Sequence, residues 1–189
     1  MSKTAVLEKP AYLGLLNAIS LAESAAGEYL EAWAEATPNA ELAATLRLVA
    51  ARERSHGDVF CRRIAELGYS LRQKADPRAA ERLAKLADPN VSDLAKIPPR
   101  REEEQDPFAD IRRRLAEGEF DPMTANLMNW YIAEEKDSAR RLDEAYACVR
   151  DSRRVQSAAS ADAEAIMACM TAGFARLEKA IEKLAKARK

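Results

Sequence analysis

Several residue types are scarce in this sequence, and their scarcity excludes some classes of protein. The 189 residues include three cysteines, one histidine and six glycines, and only 6% are aromatic. An odd cysteine count without a C-x-x-C pair argues against a disulfide framework, a zinc knuckle or an iron–sulfur site. We interpret Cys61, Cys148 and Cys169 as buried thiols of a protein in the reducing cytoplasm.

The sequence also lacks an excess of charge and any long apolar run. Thirty Lys and Arg residues nearly balance 31 Asp and Glu residues, which leaves a net charge of −1. This balance disfavours a nucleic acid or an anionic membrane as the main partner. No apolar run approaches the roughly 20 residues that span a bilayer, and the N-terminal residues do not resemble a signal peptide. We therefore expect no nucleic-acid partner and no membrane partner.

Alanine-rich apolar sequence and charged residues are abundant instead. Hydrophobic residues make up 48% of the chain and charged residues 32%, a composition typical of long α-helices. Apolar residues recur with helical spacing in four segments. These segments predict four long helices, at about residues 10–36, 38–67, 122–150 and 155–187.

The boundaries of these helices carry signals of different strength. Thr37 and Pro38 are a typical N-cap and first helical residue, and Gly68 is a typical helix end. The very short first connection predicts an antiparallel hairpin of the first two helices. The turn predicted at Asp151–Arg154, between the last two helices, contains neither glycine nor proline, so its position is weakly defined.

A long connection, residues 69–121, separates the two pairs of helices. Three Asp-Pro dipeptides predict helix starts, at residues 76–77, 106–107 and 121–122. The first two open short helices near 77–87 and 107–118, with a charged, Pro-Pro-containing loop between them. A connection of this length allows two antiparallel hairpins to pack as one four-helix bundle. We therefore predict a single all-α domain over residues 1–189.

Carboxylates and the only histidine fall on the apolar stripes of the first two helices. Glu53 and His56 are three residues apart, so both project from one helical face. Glu23 lies in the stripe of the first helix. With a turn near residue 37 and a rise of about 1.5 Å per residue, Glu23 and Glu53 reach a similar height. Their carboxylates are therefore expected to face each other.

The second pair of helices repeats this pattern. Glu135 and Glu164 are 29 residues apart, and Glu23 and Glu53 are 30 apart. Glu134 is the alternative to Glu135, which the apolar stripe favours. Burying four carboxylates and an imidazole unpaired would cost several kcal/mol or more. Two divalent cations would neutralise these groups, with bridging carboxylates and a terminal imidazole ligand.

This pattern resembles the ferritin-like superfamily, which includes ferritins, bacterioferritins, rubrerythrins and di-iron oxygenases. The resemblance covers the four long helices and implies a di-iron site, with manganese or a mixed metal pair as alternatives. The implied metal ligands are Glu23, Glu53, His56, Glu135 and Glu164. The sequence departs from the family pattern at Met167, which occupies the place of a second histidine and which we interpret as core-filling. It also has no match to the four-cysteine rubredoxin domain of rubrerythrins.

Three functions remain open from the sequence. The first is a di-metal oxidase, peroxidase or oxygenase with an unknown electron donor. The second is a metal-free helical bundle that acts as an interaction protein, which Met167 and the single histidine favour. The third is iron storage or detoxification in a cage. We expect a homodimer or a small homo-oligomer. Tyr131, one turn before Glu135, is interpreted as a packing residue, with a hydrogen bond to the site or a redox role as alternatives.

Overall fold

The computed structural model describes residues 9–99 and 106–187, and every regular element in these ranges is a helix. The six helices are α1 (Leu13–Ala36), α2 (Ala40–Glu66), α3 (Ala79–Ala87), α4 (Asp93–Lys96), α5 (Ala109–Ala116) and α6 (Pro122–Ala187). The predicted all-α class is confirmed. Within the described ranges, no helix is long and apolar enough to cross a membrane.

Helices α1 and α2 form the predicted antiparallel hairpin, with a small shift at its turn. The side chain of Asn39, not Thr37, caps α2, since its Oδ1 accepts the backbone N–H groups of Glu41 (3.1 Å) and Leu42 (3.0 Å). The Thr37 hydroxyl instead accepts the backbone N–H of Asn39 at 3.1 Å and donates to Asp93 at 2.6 Å. The cap therefore lies two residues later than predicted.

A close approach between α1 and α2 fixes the register of the hairpin. Ser20 Oγ donates to the carbonyl oxygen of Gly57 at 2.8 Å. A Cβ atom at Gly57 would clash with Ser24 Oγ and lie 3.1 Å from the Ser24 backbone nitrogen. Glycine at this position therefore lets the two backbones approach closely, one turn from Glu53.

Helix α6 differs most from the sequence prediction. It runs unbroken over 66 residues, from Pro122 to Ala187, so the predicted turn at Asp151–Arg154 and the two separate helices at 122–150 and 155–187 are wrong. The physical reason is that these four residues include no glycine or proline to interrupt the helix. The second predicted hairpin is consequently not formed within the chain.

The chain divides into two compact units, which we call the N-terminal unit (Met1–Tyr146) and the C-terminal unit (Ala147–Lys189). That both belong to one ferritin-like domain stays a prediction. In the N-terminal unit, Arg63 on α2 donates to Asp121 (2.8 Å) and Thr124 (2.9 Å), and Tyr12 donates to Asp121 at 2.6 Å. These bonds fasten the start of α6 to both helices of the hairpin.

The connection between the hairpin and α6 contains the two predicted short helices, α3 and α5, and the shorter α4, which was not predicted. Asp93 of α4 accepts hydrogen bonds from Trp33 Nε1 (2.7 Å) and Thr37 Oγ1 (2.6 Å) at the end of α1. Residues 100–105 of the predicted charged loop lie outside the described residues.

The cysteine prediction is only partly correct. Cys61 is a free thiol that is partly buried, and Cys148 is a free thiol that is exposed. The interpretation of Cys148 as a core residue is therefore wrong, since it lies on the solvent side of α6. The side chain of Cys169 lies outside the described residues.

Candidate metal centre

Four of the five predicted ligands meet in the N-terminal unit. Glu23 of α1, Glu53 and His56 of α2 and Glu135 of α6 each offer one ligand atom, and these atoms all lie within 4.8 Å of one another. We call these four residues the carboxylate cluster. Three of them are buried, whereas the side chain of Glu135 is 20% exposed. That the cluster holds a metal ion stays a prediction.

The His56 ring separates the two neighbouring glutamates of α6. Its Nδ1 atom lies 3.1 Å from Glu135 Oε1, 3.9 Å from Glu23 Oε2 and 4.0 Å from Glu53 Oε2. Its Nε2 atom lies 2.9 Å from Glu134 Oε2. The two glutamates that the sequence could not separate therefore differ: Glu135 joins the carboxylate cluster, and Glu134 contacts the opposite side of the imidazole.

Two polar atoms of the carboxylate cluster are buried without a hydrogen-bond partner. They are His56 Nδ1 and Glu135 Oε1, which approach each other without forming a hydrogen bond of acceptable geometry. A buried polar atom left without a partner is costly and rare in proteins. Both atoms are of the kinds that ligate metals, and a set of carboxylates with one imidazole suits iron or manganese. The residues present therefore fit a divalent metal.

Without a metal ion, bound protons offset part of the negative charge of the carboxylate cluster. Burial raises the pKa of Glu53, and the side chain of Glu23 and the charge of Glu135 raise it further. Burial alone would raise the pKa of Glu23 too, but interactions with His56, Glu53 and Tyr131 lower it overall. Of these two glutamates, Glu53 is therefore the one that we expect to be protonated at neutral pH.

The imidazole carries the second proton. Burial would lower the pKa of His56, but the neighbouring carboxylates of Glu135, Glu23 and Glu134 outweigh it and raise the pKa to about 10. Without a metal, the cluster is therefore expected to hold an imidazolium and a neutral carboxyl group at neutral pH.

Aromatic side chains of α6 cover the imidazole. Tyr131 Oη donates to Glu23 Oε1 at 2.7 Å, so one of the alternatives for Tyr131, a hydrogen bond to the site, is observed. Burial and the charge of Glu23 raise the pKa of Tyr131, which keeps the phenol a donor. The rings of Tyr131 and Trp130 meet His56 edge-on, with centroids 5.2 and 5.0 Å away. Sequence reasoning missed Trp130, although it directly precedes Tyr131.

Glu164 is not one of the four residues of the carboxylate cluster. Glu164 lies in the C-terminal unit, is exposed, and is not among the side chains that converge. Met167 was interpreted as core-filling, but it is 63% exposed, so that interpretation is wrong.

Comparison with known families identifies the fold family. A family model described as rubrerythrin matches residues 15–146, more than half of the chain. The chain belongs to the rubrerythrin family. The matched range contains all four residues of the carboxylate cluster and ends at Tyr146, the last residue of the N-terminal unit. The resemblance to the ferritin-like superfamily is thereby confirmed. Searches of curated proteins and of solved structures found no match.

The contact between Glu134 and His56 resembles one that supports ligating histidines in metal proteins. In metal proteins, the ring nitrogen of a ligating histidine that faces away from the metal usually donates to a carboxylate or carbonyl. Glu134 is placed to accept such a bond from His56 Nε2 at 2.9 Å. This bond would fix the tautomer in which Nδ1 is free to ligate.

Proposed function

We propose that this rubrerythrin-family protein binds a pair of divalent metal ions, iron by preference, in its carboxylate cluster, and uses them in oxidoreductase chemistry on dioxygen or peroxide. The observation that carries the proposal is the convergence of four ligand atoms within 4.8 Å, two of them buried without a hydrogen bond. Bound iron would supply the redox chemistry, since it changes its oxidation state as it passes electrons to the oxidant.

The protein's own residues would hold and shield the metals. Glu23, Glu53 and Glu135 would supply carboxylate oxygens, and His56 would supply Nδ1. Tyr131 would orient Glu23 through its 2.7 Å hydrogen bond. Burial of Glu23, Glu53 and His56 keeps water from most of the cluster, which strengthens each electrostatic interaction there.

A loading experiment tests the proposal. Purified protein is incubated anaerobically with ferrous iron, desalted and analysed for metal. We expect iron in the wild-type protein and little in the double variant Glu53→Gln/His56→Gln. Glu28→Gln is the matched control, since Glu28 is an exposed glutamate on α1. The loaded protein is then mixed with dioxygen or hydrogen peroxide, and the absorbance of ferric iron is followed.

Absence of iron from folded wild-type protein would contradict the proposal. It would favour the second candidate, a metal-free helical bundle that acts as an interaction protein. One observation supports that candidate: the pairing of His56 with Glu134 at 2.9 Å satisfies one ring nitrogen without a metal. Light scattering addresses the storage role, which requires a cage far larger than the homodimer or small oligomer that we expect. A cytoplasmic location also stays a prediction.

A further inference from the structure

We propose that the C-terminal unit is a dimerisation element, in which residues 163–184 of α6 pair with the same residues of a second copy as an antiparallel coiled coil. Pairing of this kind goes beyond metal binding and does not depend on it, since all four residues of the carboxylate cluster lie in the N-terminal unit.

An apolar surface of the C-terminal unit is exposed to solvent in the single chain. Ile166, Met167 and Met170 are 61%, 63% and 52% exposed, and Glu164 and Thr171 beside them are also exposed. The three apolar residues share one face of α6, because residues three and four apart are neighbours on a helix. Contiguous exposed apolar side chains usually mark a surface that binds another protein.

The sequence continues this surface with the spacing of a coiled coil. Apolar residues recur at alternating intervals of four and three over three heptads. They are Ala163, Met167, Met170, Phe174, Leu177, Ile181 and Leu184. Met167, Phe174 and Ile181 then occupy heptad position a, and the others occupy position d. Helix α6 is unbroken over this whole stretch. A repeat of 3.5 residues keeps one seam turned towards a partner helix along its full length.

The spacing does not by itself identify the partner helix, but the distribution of charge favours a second copy in the antiparallel orientation. Residues 162–173 contain two acidic residues and no basic one, whereas residues 178–189 contain five basic and two acidic residues. Two copies that run in opposite directions place the acidic start of each segment beside the basic end of the other. A parallel pair would bring like charges together at both ends, which disfavours it.

The heptad positions favour the register that pairs all six of the large apolar residues. In an antiparallel coiled coil, each a position lies opposite a d position of the partner helix. The opposed positions are those of Met167 and Leu184, Met170 and Ile181, and Phe174 and Leu177. The two-fold axis repeats these three layers, so six layers form. The paired stretch of 22 residues is about 33 Å long.

Sedimentation equilibrium of the full-length protein tests the dimer. Chelator is present throughout, so metal binding does not affect the result. We expect the average mass to rise with protein concentration from 20.9 kDa towards twice that value. Met167→Glu/Met170→Glu places like charges in the seam and should keep the protein monomeric where the wild-type protein dimerises. Ala165→Glu/Ala172→Glu is the matched control, since both alanines occupy heptad position f, away from the seam, and it should dimerise.

The outcomes separate this proposal from the proposed function. Met167 and Met170 are more than half exposed in the single chain, so their substitution should leave its fold intact, which far-UV circular dichroism checks. A monomeric wild-type protein, or a dimer that Met167→Glu/Met170→Glu leaves unchanged, would overturn the coiled coil and leave metal binding standing. Failure of the wild-type protein to load iron would overturn metal binding alone.

Photo-crosslinking tests the orientation of the two helices. A photo-reactive amino acid replaces Met167, one copy is isotope-labelled, and the irradiated mixture is digested and analysed by mass spectrometry. We expect crosslinks from this position to residues 181–187 of the other copy. Crosslinks to residues 163–171 of the other copy would indicate a parallel pair and overturn the proposal. Crosslinks to the N-terminal unit instead, or no crosslink between copies, would overturn it as well.

Discussion

Metal binding to the carboxylate cluster should expel protons. Glu53 and His56 both have raised pKa values, that of His56 about 10, so both groups hold a proton at pH 7. A metal ligand must be deprotonated, so metal ions and these protons compete for the same atoms. Loading the cluster at pH 7 is therefore expected to release about two protons per cluster.

The same two protons set the pH dependence of affinity. While both groups stay protonated in the metal-free protein, the apparent binding constant for the metal is inversely proportional to the square of the proton concentration. Raising the pH from about 6.5 to about 7.5 should therefore strengthen metal binding about 100-fold. An ordinary histidine site would gain far less, since it has lost most of its protons by pH 7.

Proton release can be counted directly. Ferrous or manganous ion is titrated anaerobically into weakly buffered protein, and the base needed to hold pH 7 is recorded against the metal bound. Glu53→Gln and His56→Gln each remove one protonated group, so the metal that either variant still binds should displace about one proton per cluster. Glu28→Gln should release as many as the wild-type protein. Binding without proton release, or release that the two variants leave unchanged, would refute the proton assignment.

Three further predictions concern the stability of the metal-free protein. Tyr131→Phe keeps the ring and loses a buried hydrogen bond to a carboxylate, so it should lower the free energy of unfolding by about 2 kcal/mol; a change near zero in urea titration would contradict this. Gly57→Ala should cost about 1–3 kcal/mol through its clash with Ser24, whereas Gly14→Ala, whose Cβ meets nothing within 4 Å, should be neutral or stabilising by up to about 1 kcal/mol. The raised pKa of His56 contributes stability that is fully present below about pH 6.5 and lost as the pH rises towards 10; melting temperatures measured in chelator should fall over that window, and less steeply in His56→Gln.

The hairpin half of the site was predictable because local signals fix it. A short connection near residue 37 and two helical stripes determine which residues of α1 and α2 face each other, and Glu23, Glu53 and His56 follow from that register. The close approach at Gly57 then holds the register in place. Even an N-cap that lies two residues later than predicted does not disturb this arrangement, since both helices keep their apolar faces inward.

Two features could not be predicted for different physical reasons. Glu134 and Glu135 are about 100° apart around the helix. The apolar stripe favours Glu135, but only the position of the His56 ring assigns the role of each glutamate. The turn at Asp151–Arg154 was placed between two segments whose apolar residues recur with helical spacing, without a glycine or proline to mark it. No residue there stops a helix, and in the structure the backbone hydrogen bonds of α6 continue through it.

The stretch around Glu164 was predicted correctly as helix, but the burial of its apolar stripe was not. Its apolar pattern indicates burial, yet Met167 and Met170 are more than half exposed in a single chain. Helical spacing records which face of α6 is apolar, but it does not record what covers that face. The same stripe is therefore compatible with a fold-back turn and with the uninterrupted helix that the structure has, and only the backbone decides between them.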